Sequence, residues 1–141
     1  MKKRFFPVMA LLALLTATGC GPNREDADRQ LQRACTAALK AVYGSNDTLE
    51  VKEAAFTAEQ STEDTPLRVV TINAFYTHNG GIVEEKDYMC AFEEQFGIWG
   101  YDARFYRLDR DGAKYGNFDG VVHGDLQDMI RINQAVTAML K

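Results

Sequence analysis

Between residues 24 and 43, apolar side chains return every three or four positions. Ala27, Leu31, Ala34, Cys35, Ala38 and Val42 fall on one stripe, the period of a helix with one buried side. Glu25, Asp26 and Asp28 crowd its start and Lys40 lies in its last turn, both favourable to the helix dipole, and Gly44 supplies a stop. The small alanines would let this helix approach a sheet closely. Beyond Gly44 the period shortens to two. "TLEVKEAAF" (48–56) reads as a strand that bulges or ends early at Ala54-Ala55, and "AEQSTEDTP" (58–66) reads as a polar surface turn. "LRVVTINAFYT" (67–77), rich in β-branched and aromatic residues, is the strongest strand signal in the chain. "HNGG" (78–81) predicts a hairpin turn, and "IVEEKDYMCAFEE" (82–94) its antiparallel partner.

Alternation along that partner puts Tyr88, Cys90 and Phe92 on one face, opposite Asp87, Met89 and Ala91. "FGIWG" (96–100) reads as a turn, "YDARFYRL" (101–108) as a further strand and "DRDG" (109–112) as another turn. "AKYGNFDGVVHG" (113–124), with a glycine at every fourth position, reads mostly as loop with a short edge strand at 114–118. The chain closes on a helix over 125–141. Its expected N-cap is Asp125, with Asp128 three residues on, and its expected apolar face is Leu126, Met129, Ile130, Val136 and Leu140. Strands bracketed by helices predict an α+β fold: an N-terminal helix, a three- to four-stranded antiparallel sheet and a C-terminal helix. Both helices would cover one face of the sheet, leaving the other for water or a partner.

The first twenty residues have another organisation. Lys2, Lys3 and Arg4 precede the apolar run "FFPVMALLALL", which ends in the small residues "TATG" and then Cys20. This is the three-part plan of a secretory signal peptide. The run from Phe5 to Thr18 falls short of the roughly 20 residues that span a bilayer as a helix, and Pro7 interrupts it. "Ala17-Thr18-Gly19-Cys20" resembles the lipobox of bacterial lipoprotein precursors, with alanine at 17 where the family usually carries leucine. The resemblance covers about twenty residues. It implies cleavage before Cys20 and lipid on its sulfur, so that residues 1–19 are a leader, 20–25 a short tether and 26–141 a single domain. By the sorting rule that the resemblance carries, Gly21 in place of aspartate directs the protein to the outer membrane, anchored by lipid and facing the periplasm. A tether this short would hold the domain close to the membrane, its first partner.

With Cys20 committed to lipid, Cys35 and Cys90 remain. In an oxidising export compartment two such cysteines form a bridge. A bridge requires Cα atoms within about 7 Å, so the first helix would cover the Tyr88/Cys90/Phe92 face. A metal centre lacks ligands, since there is no C-x-x-C and His78 and His123 stand in separate turn-like stretches. No cofactor motif is present. Removing the leader leaves 13 Lys and Arg against 20 Asp and Glu, a net charge of −7. No basic cluster survives that could track phosphates, which argues against nucleic acid.

Catalytic chemistry finds little footing. Ser45 and Ser61 lack a nucleophile context, and the adjacent pairs Glu84-Glu85 and Glu93-Glu94 point to opposite strand faces. Asp109, Asp111, Asn117 and Asp119 surround glycines but do not follow a calcium-loop pattern, and read as turn residues. Aromatic density is the more informative feature. Nine of the fifteen aromatic residues lie between Tyr88 and Phe118. Core packing accounts for most of them, and a binding surface around Trp99, Tyr101 and Tyr106, with Arg104 beside them, is the candidate site. The favoured reading is a lipid-anchored envelope module that binds or supports another component, with an envelope protein as candidate partner. An inhibitor or exclusion factor acting on an envelope enzyme or a conjugation apparatus is one alternative. An enzyme acting on envelope glycan or peptide is the other.

Overall fold

The computed structural model describes residues 23–141; the leader and residues 20–22 of the tether, Cys20 among them, lie outside that range. The element order is α1 (Arg24–Val42), β1 (Asp47–Gln60), β2 (Pro66–His78), β3 (Val83–Gly97), β4 (Gly100–Arg110), β5 (Ala113–Phe118), β6 (Val121–His123) and α2 (Leu126–Met139). The six strands form one antiparallel sheet in which every strand pairs with its neighbours in sequence. The fold is α+β as expected, but the sheet has six strands rather than three or four. No helix among the described residues is long and apolar enough to cross a membrane.

α1 begins at Arg24, so Arg24 and Glu25, read above as tether, belong to the folded domain. Asn23 caps it, its side-chain oxygen accepting from the Asp26 N–H at 2.8 Å. Ala27, Leu31, Ala34, Cys35, Ala38 and Leu39 are its buried residues, which is the expected stripe with Leu39 in place of Val42, itself only partly buried. They meet Val70, Ile72, Ala74, Tyr88, Cys90, Phe92 and Leu108 of the sheet, together with Ile132 and Val136 of α2, in one core. Both helices therefore share one face of the sheet. The Cys35–Cys90 disulfide joins α1 to the central strand β3, with Cα atoms 5.7 Å apart and both residues fully buried.

Three further expectations need correction. β1 continues through Gln60, and the turn is confined to 61–65. As an edge strand β1 has β2 on one side and solvent on the other. Backbone hydrogen bonds along a register running from Asp47↔His78 to Gln60↔Pro66, with one shift between Val51 and Glu53, therefore carry its polar end. The stretch 113–124 is not mostly loop: the short edge strand expected at 114–118 is β5, and β6 pairs with it to make a hairpin. Asp119 and Gly120, with φ of 53° and 82°, supply the left-handed pair that a two-residue hairpin turn demands. Gly116 is needed for space: a Cβ there would lie 2.3 Å from the Tyr106 carbonyl oxygen. Lastly, α2 turns Ile132 and Val136 into the core and leaves Leu126 and Ile130, assigned above to its apolar face, exposed.

The sheet's outer face is partly dry. Leu67, Val69 and Ala91 are buried there with Met89 and Tyr106 packed against them. Arg107 shares a row with Ala91 and Val69 and reaches across β3 and β2 to Glu59 on β1, at 2.8 Å.

Candidate functional site

β3 and β4 form a long hairpin whose final pairs are Phe96↔Tyr101 and Gly97↔Gly100, which leaves Ile98 and Trp99 as its tip. These two side chains are 91% and 96% exposed, and Phe96 behind them is 51% exposed. The expected turn at 96–100 is therefore only two residues long. Segment 96–101 carries no charge.

The base of the hairpin is firmly held. Phe96 and Tyr101 rings pack with centroids 4.8 Å apart. The Tyr101 hydroxyl donates to Glu94 Oε2 at 3.1 Å, and the Arg24 guanidinium grips both oxygens of Glu94 at 2.8 and 2.9 Å. Arg24 also pairs with Asp28 at 2.8 Å, and Asp28 in turn takes a two-pronged contact from Arg68 at 3.0 and 2.7 Å. Arg–carboxylate forks of this kind fix orientation as well as adding attraction. The chain of contacts ties the first turn of α1 to β2, β3 and β4. Its carboxylates are mostly shielded, at 14% side-chain exposure for Asp28 and 15% for Glu94.

This setting displaces the titrations of the groups inside it. Burial pushes the Tyr101 phenol well above its usual range, and the negative Glu94 beside it adds to the rise. Arg24 is raised although burial acts against its charge, because Glu94 and Asp28 more than offset that loss.

The four residues singled out from sequence do not form one surface. Trp99 and Tyr101 come together, but as an exposed tip and its half-buried support. Tyr106 lies on the outer sheet face against Met89 and the Leu67/Val69/Ala91 cluster, while Phe105, its neighbour, packs edge-on against Phe92 at 6.4 Å in the core. Arg104 is 78% exposed, 3.8 Å from Asp102, and lines a shallow depression of about 400 Å³ with Glu93, Gln95 and Thr65. What the sequence reading missed is Ile98 and the Arg24–Glu94 clamp. Ile98 was legible as one of two apolar residues set between Gly97 and Gly100; the clamp joins residues 70 apart in sequence and left no local signal.

A second polar cluster occupies the opposite end of the molecule. Tyr43 and Tyr88 share a hydroxyl–hydroxyl hydrogen bond at 2.7 Å, Tyr76 stacks on Tyr43 at 4.5 Å, and Asp47 meets His78 at 2.6 Å. Burial raises the Tyr43 phenol far above its usual range, and the bond to Tyr88 adds to it. Burial would also raise the Asp47 carboxyl, but hydrogen bonds from His78 and the Gly44 N–H hold it below the usual carboxylate range. Arg110 lies 4.8 Å over the Tyr43 ring and donates to the Val42 carbonyl at 2.8 Å, satisfying the end of α1. These groups are bonded to one another, and together they close the helix onto the sheet. Three of the four oxygen-bearing turn residues between 109 and 119 are also engaged: Asp109 accepts from Gly112 N–H and Asn117 from Gly120 N–H, both at 2.9 Å, and Asp111 pairs with Lys86 at 3.1 Å.

No family model, no curated protein and no solved structure matches the chain.

Proposed function

We propose that this chain is an exported bacterial lipoprotein, anchored through Cys20 at the outer membrane and facing the periplasm. Its folded domain is a non-catalytic binding module whose binding surface is the β3–β4 hairpin tip. One observation carries the binding reading. Ile98 and Trp99, 91% and 96% exposed, sit on a hairpin clamped at its base, with none of the described residues packed over them. Burying side chains of this size contributes roughly 1.5–3 kcal/mol each. The fold forgoes that gain most fully at Ile98 and Trp99, the two most exposed of its large apolar side chains, while clamping the hairpin base with Arg24, Glu94 and Tyr101. Large apolar groups held rigid and uncovered are what a binding anchor requires, because little ordering entropy remains to be lost on contact. The anchor reading is supported by the leader and its "ATGC" ending, and the export reading by the Cys35–Cys90 bridge, a cross-link suited to an oxidising compartment.

Fractionation tests this reading. The native protein should sediment with membranes, resist a high-salt wash and be released by detergent, and Cys20→Ala should carry no acyl chain in a metabolic labelling experiment. A salt-released native protein, or labelled Cys20→Ala, would refute the anchor.

A further inference from the structure

The hairpin tip and the start of the domain lie at the same end of the molecule. Asn23 caps α1, and the Arg24 guanidinium next to it stands 5.0 Å from the Phe96 ring centroid and 5.9 Å from that of Tyr101. Cys20 precedes Asn23 by three residues, a distance of at most roughly 11 Å even when fully extended. Ile98 and Trp99 each stand two residues beyond the Phe96–Tyr101 pair, about 7 Å further along the hairpin. A bilayer holding acyl chains on Cys20 must therefore lie within reach of the exposed tip. Resting on the lipoprotein reading above, we propose that the ligand of the hairpin tip is that bilayer. Ile98 and Trp99 enter its headgroup region and give the domain a second, peptide-borne point of attachment.

The chemistry of the tip fits a lipid interface. An indole is amphipathic, with an apolar body and one N–H donor, and settles at the depth of the headgroups. Ile98 supplies the purely apolar partner, and the uncharged segment 96–101 carries nothing that would resist entry. Charge reappears at Asp102 and Arg104, which are 69% and 78% exposed and oppose one another at 3.8 Å, as suits the water side of the interface. The end of α2 lies on this side too, since Leu140 and Lys141 line a depression with Asp102 and Ala103. Val121 and Val122 on the short edge strand β6 are also exposed, and the exposed apolar hairpin end at Ile82 and Val83 sits at the far end of β3, about 45 Å away along the strand. It runs directly into Glu84 and Glu85. Two attachments at one end would fix the domain with its strands steep to the membrane and the Ile82 end pointing away.

Trp99 is the chain's sole tryptophan, so its fluorescence reports the tip alone. The full chain, produced with its leader and purified, would be reconstituted into phosphatidylethanolamine/phosphatidylglycerol vesicles that include lipids brominated at defined depths. The expected result is a blue-shifted emission that is shielded from aqueous iodide. Bromines high on the acyl chains should quench it most strongly, matching a depth of about 5–10 Å. Ile98→Asp should abolish this quenching and restore iodide access, and Ile82→Ser should change neither. Both substitutions fall on exposed side chains, and denaturation curves would verify that folding is unchanged. Iodide-accessible emission with no bromine quenching would overturn the proposal. So would emission protected from iodide yet insensitive to bromine, which would place a second copy of the chain over the tip. Mass spectrometry of the same sample reads the acyl chains separately. An unmodified Cys20 would remove the anchor while the quenching still decides the hairpin.

Discussion

Reduction of the Cys35–Cys90 bridge provides a quantitative test of the fold. The bridge joins residues 55 apart in sequence, crosses from α1 to the central strand β3, and is wholly buried. The chain-entropy relation for a loop of that length gives a contribution of about 4 kcal/mol. Against a total of roughly 5–15 kcal/mol for a domain of this size, the reduced protein should remain folded but be markedly weaker. The 119 residues from Asn23 to Lys141 carry an unfolding entropy of about 0.25 kcal/mol/K, so the loss corresponds to a fall in Tm of roughly 15 °C. In urea, with an m-value near 2 kcal/mol/M, the midpoint should drop by about 2 M. Far-ultraviolet circular dichroism is the right assay. Trp99 is 96% exposed in the folded protein, so its emission would barely move on unfolding in aqueous buffer. Cys35→Ala/Cys90→Ala should reproduce the reduced protein to within about 1–2 kcal/mol, the difference being the two missing sulfurs in the core. Coincident unfolding curves with and without reductant would refute the reasoning, because a bridge that closes this loop cannot be silent.

Gly116→Ala should destabilise the domain by at least about 3 kcal/mol in urea titrations, because its Cβ meets the backbone of Tyr106 at a φ of 94°, where alanine is also strained. A loss below about 1 kcal/mol would mean that β4 and β5 can separate locally without penalty. Conversely, Ile98→Ser/Trp99→Ser should leave the unfolding free energy from urea titration within about 0.5 kcal/mol of the native value, since both side chains stand in solvent; a larger fall would return them to the core. Alkaline pH should unfold the protein. Tyr43, Tyr76, Tyr88 and Tyr101 are all raised, chiefly by burial. The folded state thus keeps protons that unfolded phenols release above about pH 10. That share of stability is complete below pH 10 and is lost as pH climbs through the raised values. Absorbance titration should show these four phenols ionising above the usual tyrosine range, and their ionisation near pH 10 in the folded protein would contradict it.

What the sequence disclosed depended on how local the cause was. α1 was legible because its buried stripe, acidic start and stop coincide within one element. The β2–β3 hairpin was legible because "HNGG" separates two β-rich runs. Tyr88, Cys90 and Phe92 fell on the buried face because the bridge to Cys35 left no other choice. The end of β1 was missed because an edge strand does not need alternating burial, and its polar residues gave no periodic signal. β6 was missed, and β5 was legible only as a short edge strand, because glycines at 112, 116, 120 and 124 looked like a loop. Two of them, Gly112 and Gly120, close hairpin turns, and Gly116 allows two backbones to meet. In α2, apolar residues lie on several sides, and contact with α1 selected Ile132 and Val136 over Leu126 and Ile130. The candidate surface was half legible for a related reason. Aromatic density marked the right hairpin, but the Tyr106 bulge in β4 and the Arg24–Glu94 clamp arise only from tertiary pairing.

The account stands on the separate fates of three sulfurs, and intact-mass spectrometry of protein isolated from its native membrane reads all three together. The predicted species begins at Cys20 with acyl chains attached, accepts no alkylating reagent before reduction and takes two equivalents after it. A chain that retains its leader, or one whose cysteines all alkylate without reductant, would contradict it.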